Sequence, residues 1–186
     1  HEFSHVLAAY WQGDQTGRLM GRLTPNPLKH LDPMGTLFMV LSVATGFGIG
    51  WGKPAPYNPN NLRNHRWGSF LVAIAGPLMN ILLVAIFGYG VVLIGPHLLS
   101  TNLMIQFFAI MAITNAYLAV FNLLPIPPLD GSRILSVFLG FQHPVVLFLE
   151  RYGFYLVLAV ILFANGLIGA WVTGGASLIF KALGLV

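Results

Sequence analysis

The feature that most limits how this chain can fold is a set of long segments without a charged residue. Residues 69–95 and 102–124 each exceed the roughly 20 apolar residues that a helix needs to cross a bilayer, and residues 152–172 form a third such segment. Only 8% of the chain is charged, whereas soluble domains carry about 25%. The sequence therefore predicts an all-α polytopic membrane protein with three full spans.

Prolines and polar residues interrupt the apolar pattern in two stretches, residues 12–33 and 51–68. Because proline disrupts helices, we expect loops there, with a small extended segment around Gly21–Thr24, between the first helix and the next full span. The apolar run 34–50 is short for a full crossing. It either crosses the membrane or is re-entrant, and the re-entrant arrangement is favoured because it places the basic loops on one side.

We expect residues 1–186 to form one membrane-embedded domain. The sequence opens on His1, and residues 1–11 have the pattern of the later turns of a helix that Gly13 and Asp14 bring to an end. We therefore expect the chain to be shortened at its N-terminus, before the first catalytic helix is complete.

The formal net charge is +4, but the nine lysine and arginine residues are spread along the chain without a basic run. In membrane proteins such residues commonly set the topology, so we expect the lipid bilayer, and no nucleic acid, as a partner. The chain has no cysteine. A metal site would therefore use histidine, aspartate or glutamate side chains.

The first five residues, His1-Glu2-Phe3-Ser4-His5, form an H-E-x-x-H pattern. On a helix, residues four apart lie on one face, so the imidazoles of His1 and His5 can bind one tetrahedral zinc ion. Glu2 lies beside them and can act as a base toward metal-bound water. A solvated helix start is the simpler interpretation in a soluble chain, but ionisable groups at membrane depth are usually functional.

A catalytic zinc usually has three protein ligands, and Asp130 is the best candidate for the third. It follows the 102–124 span and the proline-rich break Pro125–Pro128, where an unwound backbone can turn a carboxylate inward. A simple Asp-Gly turn at the interface is the alternative interpretation. Four histidines in loops or at span ends stay open as rival ligands: His30, His65, His97 and His143.

Several asparagines lie in the uncharged spans, where an amide needs a partner inside the protein, and Asn80, Asn115 and Asn122 are the ones of interest. We expect Asn115 to hydrogen-bond between helices. Asn122 lies close to the proline break, where it could hold a substrate backbone or polarise its carbonyl group, and Asn80 is a second candidate for that role.

Several segments resemble the site-2 protease family of intramembrane zinc metalloproteases, in its bacterial form. The combination of H-E-x-x-H with the distant Leu129-Asp130-Gly131 is highly specific, and the C-terminal part matches only as a hydrophobic span. The matching segments are His1–His5, Gly21–Thr36, Gly50–Arg63, Ala75–Asn80 and Phe121–Leu135.

The resemblance implies one zinc ion held by His1, His5 and Asp130, with Glu2 as the catalytic acid and base and Asn122 near the substrate. It also implies a multi-pass protein of the bacterial inner membrane that cleaves the transmembrane helices of membrane-anchored proteins.

Two residues depart from the usual family pattern. Ser132 stands where a second glycine is usual and Gly52 where an alanine is usual, and neither change removes a reactive group. The alternative function is a non-proteolytic zinc-binding membrane protein, such as a transporter or an inactive scaffold. The presence of Glu2 argues against an inactive scaffold, and the lack of an internal repeat argues against a transporter.

Overall fold

The computed structural model describes residues 1–45, 51–97, 102–163 and 165–185. Within these ranges the chain is helical and forms no β-strand. It divides into two compact units, His1–Val72 and Ala73–Val186. The α-helices of the described ranges are α1 (Glu2–Trp11), α2 (Thr16–Leu19), α3 (Pro33–Thr45), α4 (His65–Ile94), α5 (Leu103–Asn122), α6 (Asp130–Leu139), α7 (Pro144–Phe163) and α8 (Asn165–Ala182). Short 3₁₀ turns cover Pro27–Lys29, Pro59–Asn61 and Gly95–His97.

The core of the first unit lies between α1 and the start of α4. Apolar side chains from both helices and from the loop that precedes α4 are buried there. Helix α2 approaches α1 closely because Gly17 has no side chain, and a Cβ at that position would overlap Val6. The core consists of Ala9, Leu62 and Val72, with Ala8 and Tyr57 packed against them.

The extended segment expected after the first helix is reduced to a single antiparallel bridge between Leu31 and Gly52. The backbone of Gly21–Thr24 forms turns and bends instead. Arg22 is buried, and its guanidinium donates a hydrogen bond of 2.6 Å to the Lys53 carbonyl oxygen. This side chain therefore links the two loops.

Helix α3 covers the first part of the apolar run 34–50 and has 13 residues. At a rise of about 1.5 Å per residue it is about 20 Å long, less than the roughly 30 Å thickness of a hydrocarbon core. Residues 46–50 lie outside the described residues, so the choice between a crossing and a re-entrant segment stays a prediction.

Three helices of the described chain are long and apolar enough to cross a membrane: α4, α5 and α7. The predicted spans 69–95 and 102–124 correspond to α4 and α5. In the second unit α5 packs against α8, where Val120 contacts Gly175. Many large apolar side chains on these helices are exposed, as a lipid-facing surface requires. The chain is an all-α integral membrane protein, as the sequence predicted.

The bounds predicted for the third span, residues 152–172, are wrong. The structure has two helices in this region, α7 from Pro144 to Phe163 and α8 from Asn165 onward. Pro144 starts α7 because proline fits the first turn of a helix, where no amide hydrogen is needed. The charged residues Glu150 and Arg151 lie within α7, although they precede the apolar segment 152–172 in the sequence.

Candidate metal centre

His1 and His5 bring two imidazole nitrogens together at the start of α1. His1 precedes the helix as its N-cap and His5 lies one turn later, so their side chains share a face. The two Nε2 atoms are 3.0 Å apart, and the rings meet edge to face with centroids 4.6 Å apart. A tetrahedral zinc ion with nitrogens about 2.0–2.1 Å away holds two of them about 3.3 Å apart. The histidine pair therefore fits two ligand positions of such an ion.

The Val72 carbonyl oxygen of α4 fixes the orientation of the His5 ring. His5 Nδ1 lies 2.7 Å from it, and both groups are buried. A carbonyl oxygen only accepts hydrogen bonds, so Nδ1 carries the proton and donates it. In the neutral ring this leaves the Nε2 lone pair directed toward His1. Metal-binding histidines commonly have such a partner on the other ring nitrogen.

Glu2 is the first residue of α1 and lies between the two histidines in the sequence. Its side chain is half-buried, and it forms no hydrogen bond or ion pair with another residue of the described ranges. A carboxylate at a helix N-terminus is favoured by the helix dipole. The structure therefore places an ionisable acid in the first turn of α1, between the two histidines in the chain.

Asp130 belongs to the second unit, where it is half-buried as the first residue of α6. The next residue, Gly131, packs directly on the carbonyl groups of Leu123 and Leu124, and a Cβ at that position would overlap them. Ser132 Oγ donates a hydrogen bond of 2.7 Å to the Leu129 carbonyl oxygen. The Asp-Gly-Ser sequence thus starts a helix that is held against the end of α5, which is more than the simple turn considered above.

The contacts of Asn80, Asn115 and Asn122 differ from one another. Asn115 and Asn122 each donate to the carbonyl oxygen one turn earlier on α5, at 2.8 Å to Met111 and 2.9 Å to Leu118. Asn115 thus bonds within its own helix, and the bond expected between helices is not among those described. Asn80 is buried on α4, and its amide nitrogen has no hydrogen-bond partner in the described part of the chain.

His30 and His143, two of the rival histidines, use their ring nitrogens in contacts away from α1. His30 Nε2 donates to the Thr24 carbonyl oxygen at 2.8 Å, and its Nδ1 lies 3.3 Å from a guanidinium nitrogen of Arg22. His143 Nδ1 accepts a hydrogen bond from the Val145 amide at the start of α7. The other two, His65 and His97, lie at the first residue of α4 and in the 3₁₀ turn after it.

The contact that sequence reasoning missed is the Val72 carbonyl. Every residue carries a backbone carbonyl, so no side-chain pattern marks this one. The only signal is indirect, because an H-E-x-x-H histidine needs a partner for its second nitrogen.

The fold and the site together define a class: a helical integral membrane protein in which two histidines one helix turn apart have a spacing that fits a zinc ion. The chain belongs to peptidase family M50, the site-2 protease family. The family model matches residues 90–164. No solved structure matches the chain with significance.

Three bacterial relatives illustrate the similarity. The proposed zinc metalloprotease YwhC of Bacillus subtilis is 42% identical over 144 residues, covering 73% of this chain and 62% of the relative. The proposed zinc metalloprotease Rip2 of Mycolicibacterium smegmatis is 34% identical over 165 residues, covering 87% of this chain and 62% of the relative. Its namesake in Mycobacterium tuberculosis (strain Erdman) is 30% identical over 199 residues, covering all of this chain and 70% of the relative. The chain thus spans about two thirds of these proteins.

Proposed function

We propose that this chain is the catalytic part of an intramembrane zinc metalloprotease that cleaves the transmembrane segments of membrane-anchored proteins. The observation that carries the proposal is the histidine pair of α1, with its Nε2 atoms 3.0 Å apart and His5 oriented by the Val72 carbonyl. Family membership and the relatives named as zinc metalloproteases support the same function. The bacterial relatives support a place in the bacterial cell (inner) membrane.

In this proposal one zinc ion is held by His1, His5 and Asp130. The chain has five carboxylates, and three of them have other surroundings. Asp14 accepts hydrogen bonds on both oxygens, Asp32 accepts from the Gly35 amide at the start of α3, and Glu150 lies on an exposed part of α7. Glu2 is the remaining acid of the H-E-x-x-H turn and is assigned to proton transfer. This leaves Asp130 for the third position.

The reaction is hydrolysis of a peptide bond. Bound zinc would supply a Lewis acid that makes its water acidic enough to attack near neutral pH. Glu2 takes the proton from the attacking water and gives it to the leaving amide nitrogen, as a general base and then a general acid. His5 needs its Val72 hydrogen bond to keep Nε2 in the deprotonated form that a metal ligand requires.

Asn122 and Asn80 are proposed to hold the substrate. Asn122 uses its amide nitrogen within α5, so its side-chain oxygen is available to accept a backbone amide of an unwound substrate. Asn80 is buried with an amide nitrogen that has no partner in the described chain, and such a donor can bind a substrate carbonyl oxygen. Either contact would favour a locally unwound substrate over an intact helix.

Glu2→Gln tests the proposal in the full-length protein in lipid. We expect zinc content to stay at one ion per chain, while the cleavage rate falls by about 10²- to 10⁴-fold because the proton acceptor is lost. His5→Ala and Asp130→Ala should each lower the zinc content as well. His143→Asn is the matched control, since asparagine can also cap α7, and it should change neither quantity. Full cleavage by Glu2→Gln would contradict the proposal.

A further inference from the structure

Two opposite charges lie side by side on the surface of α7, Glu150 and Arg151. Both are exposed, and neither forms a hydrogen bond or an ion pair with any residue that the structure describes. The rest of the helix is apolar, and α7 is one of the three candidate spans. Glu150 lies about 9 Å from the start of the helix and Arg151 about 18 Å from its end. Charges at such a depth are costly and usually pair with another group.

The two charges cannot satisfy each other well. Consecutive helix residues point in directions about 100° apart, because a turn contains about 3.6 residues. Neighbouring positions on a helix therefore do not face each other. The partner of each charge must come from outside α7.

One face of α7 is packed against its own unit. Val146 and Gly153 are buried, and a Cβ at Gly153 would overlap Pro127. Only 11% of the candidate span in α7 is buried, against 33% in α4 and 28% in α5. Most of the surface of α7 is therefore open to lipid or to another protein.

The open surface carries a regular seam. Its members follow one another at spacings of four and three residues, the repeat by which two helices pack side by side. The first three are exposed and the last two are half-buried. The seam consists of Leu147, Arg151, Phe154, Leu158 and Ile161.

We propose that α7 pairs with α7 of a second copy of this chain, with Arg151 of each copy bound to Glu150 of the other. Two copies with the same topology are related by a two-fold axis along the membrane normal, so their α7 helices run parallel. In parallel pairs a seam residue fits into a hole formed by four residues of the facing helix. For Arg151 of one copy, this hole includes the residue that precedes Arg151 on the facing helix. That residue is Glu150 of the second copy. The symmetry forms the ion pair twice, so all four charges are paired.

Charge reversal tests this pairing in full-length protein reconstituted in lipid, with association measured by energy transfer between labelled copies. Glu150→Arg and Arg151→Glu should each lower self-association at least tenfold, because each brings like charges together. A mixture of the two variants should associate again, because each then supplies the charge that the other lacks. Unchanged association of the single variants would contradict the proposal, and so would a mixture that fails to associate although both variants stay folded.

Cysteine cross-linking tests the seam independently, since this chain has no cysteine. In a background without other cysteines, Leu147→Cys should form a disulfide-linked dimer under mild oxidation. Phe148→Cys is the matched control: it is similarly exposed but lies about 100° away from the seam position. It should cross-link at least tenfold less. Equal cross-linking at the two positions, or none at Leu147→Cys, would overturn the proposed seam.

Discussion

Asp14 is the buried carboxylate that holds the loops of the first unit together. It is 1% exposed. Its Oδ1 accepts from the Thr16 amide and hydroxyl at 3.2 and 2.6 Å and from the Asn61 side chain at 2.9 Å, and its Oδ2 accepts from the Asn58 amide at 2.8 Å. Burial by itself raises the pKa of the Asp14 carboxyl, but these hydrogen bonds to its ionised form outweigh burial and hold the pKa below its usual 3.8.

A lowered pKa makes Asp14 a source of stability above its unfolded pKa, and this stability is lost as the pH falls through the folded value. We expect Asp14→Asn to lower the free energy of unfolding near neutral pH by about 1–3 kcal/mol, because one oxygen no longer accepts. The difference from wild type should shrink as the pH falls below about 3.8. Thermal unfolding of metal-free protein across that range measures it, and a constant difference at every pH would contradict the account.

Gly131 has a packing role that another helical glycine lacks. Its Cα faces the carbonyl groups of Leu123 and Leu124 without room for a Cβ, whereas no atom lies within 4 Å of a Cβ at Gly174 in α8. We expect Gly131→Ala to lower the free energy of unfolding by about 1–3 kcal/mol, and Gly174→Ala to raise it by up to about 1 kcal/mol. Thermal unfolding in the same detergent compares the two variants, and equal effects would show that α6 can shift to make room.

The sequence alone was sufficient to predict a contact between residues that are close together in the chain. The spacing of His1 and His5 alone predicted that their rings share a helix face, and they do. The orientation of His5 depends on Val72, a contact between residues 67 apart in the chain. Every residue has a backbone carbonyl oxygen, so the sequence does not mark the one that His5 contacts. Only the fold could reveal this contact. The assignment of Asp130 as a ligand stays a prediction.

At the scale of elements, α8 depends on small residues where it meets the other helices of the second unit. Val84, Ala116 and Ala176 are buried together there. The Trp171 indole donates a hydrogen bond of 3.3 Å to the Val120 carbonyl oxygen, which adds a polar contact between α8 and α5.

Ala176→Leu should disrupt this packing, because three extra carbon atoms do not fit into a filled core. We expect it to lower the free energy of unfolding by about 1–3 kcal/mol. Ala170→Leu is the control on the same helix, at an exposed position, and its effect should stay within about 0.5 kcal/mol. Thermal unfolding in lipid or detergent measures both. A stable Ala176→Leu variant would mean that α8 is not held by close packing.

The elements differ in how well the sequence predicts them. Helices α4 and α5 were predicted within a few residues because their polar flanks coincide with their ends. The bounds predicted for α7 are wrong because hydropathy marks only where the polarity of the sequence changes. The ends of a helix are set by its backbone hydrogen bonds. Glu150 and Arg151 interrupt the apolar pattern without interrupting the helix. Proline at position 144 was the better boundary signal.

For the molecule as a whole, many large apolar side chains of the described residues are exposed. Leu78, Leu82 and Ile86 form a stripe on α4, and each is more than half exposed. The same degree of exposure occurs outside the spans, since Leu19 on the short helix α2 is 83% exposed. Exposure alone therefore does not separate lipid-facing side chains from water-facing ones, whereas a place in a candidate span favours contact with lipid.

This difference predicts opposite outcomes for the same substitution at two exposed leucines. Leu82 lies near the middle of α4, so Leu82→Arg places a charge deep in the hydrocarbon and should weaken membrane insertion of the helix by about 3–4 kcal/mol. Leu19→Arg lies on α2, outside the candidate spans, and should change the stability by less than about 0.5 kcal/mol. The fraction of inserted helix, measured by glycosylation mapping of the full-length protein, tests the first, and thermal unfolding tests the second. Normal insertion of Leu82→Arg would mean that this stripe faces protein or water instead of lipid.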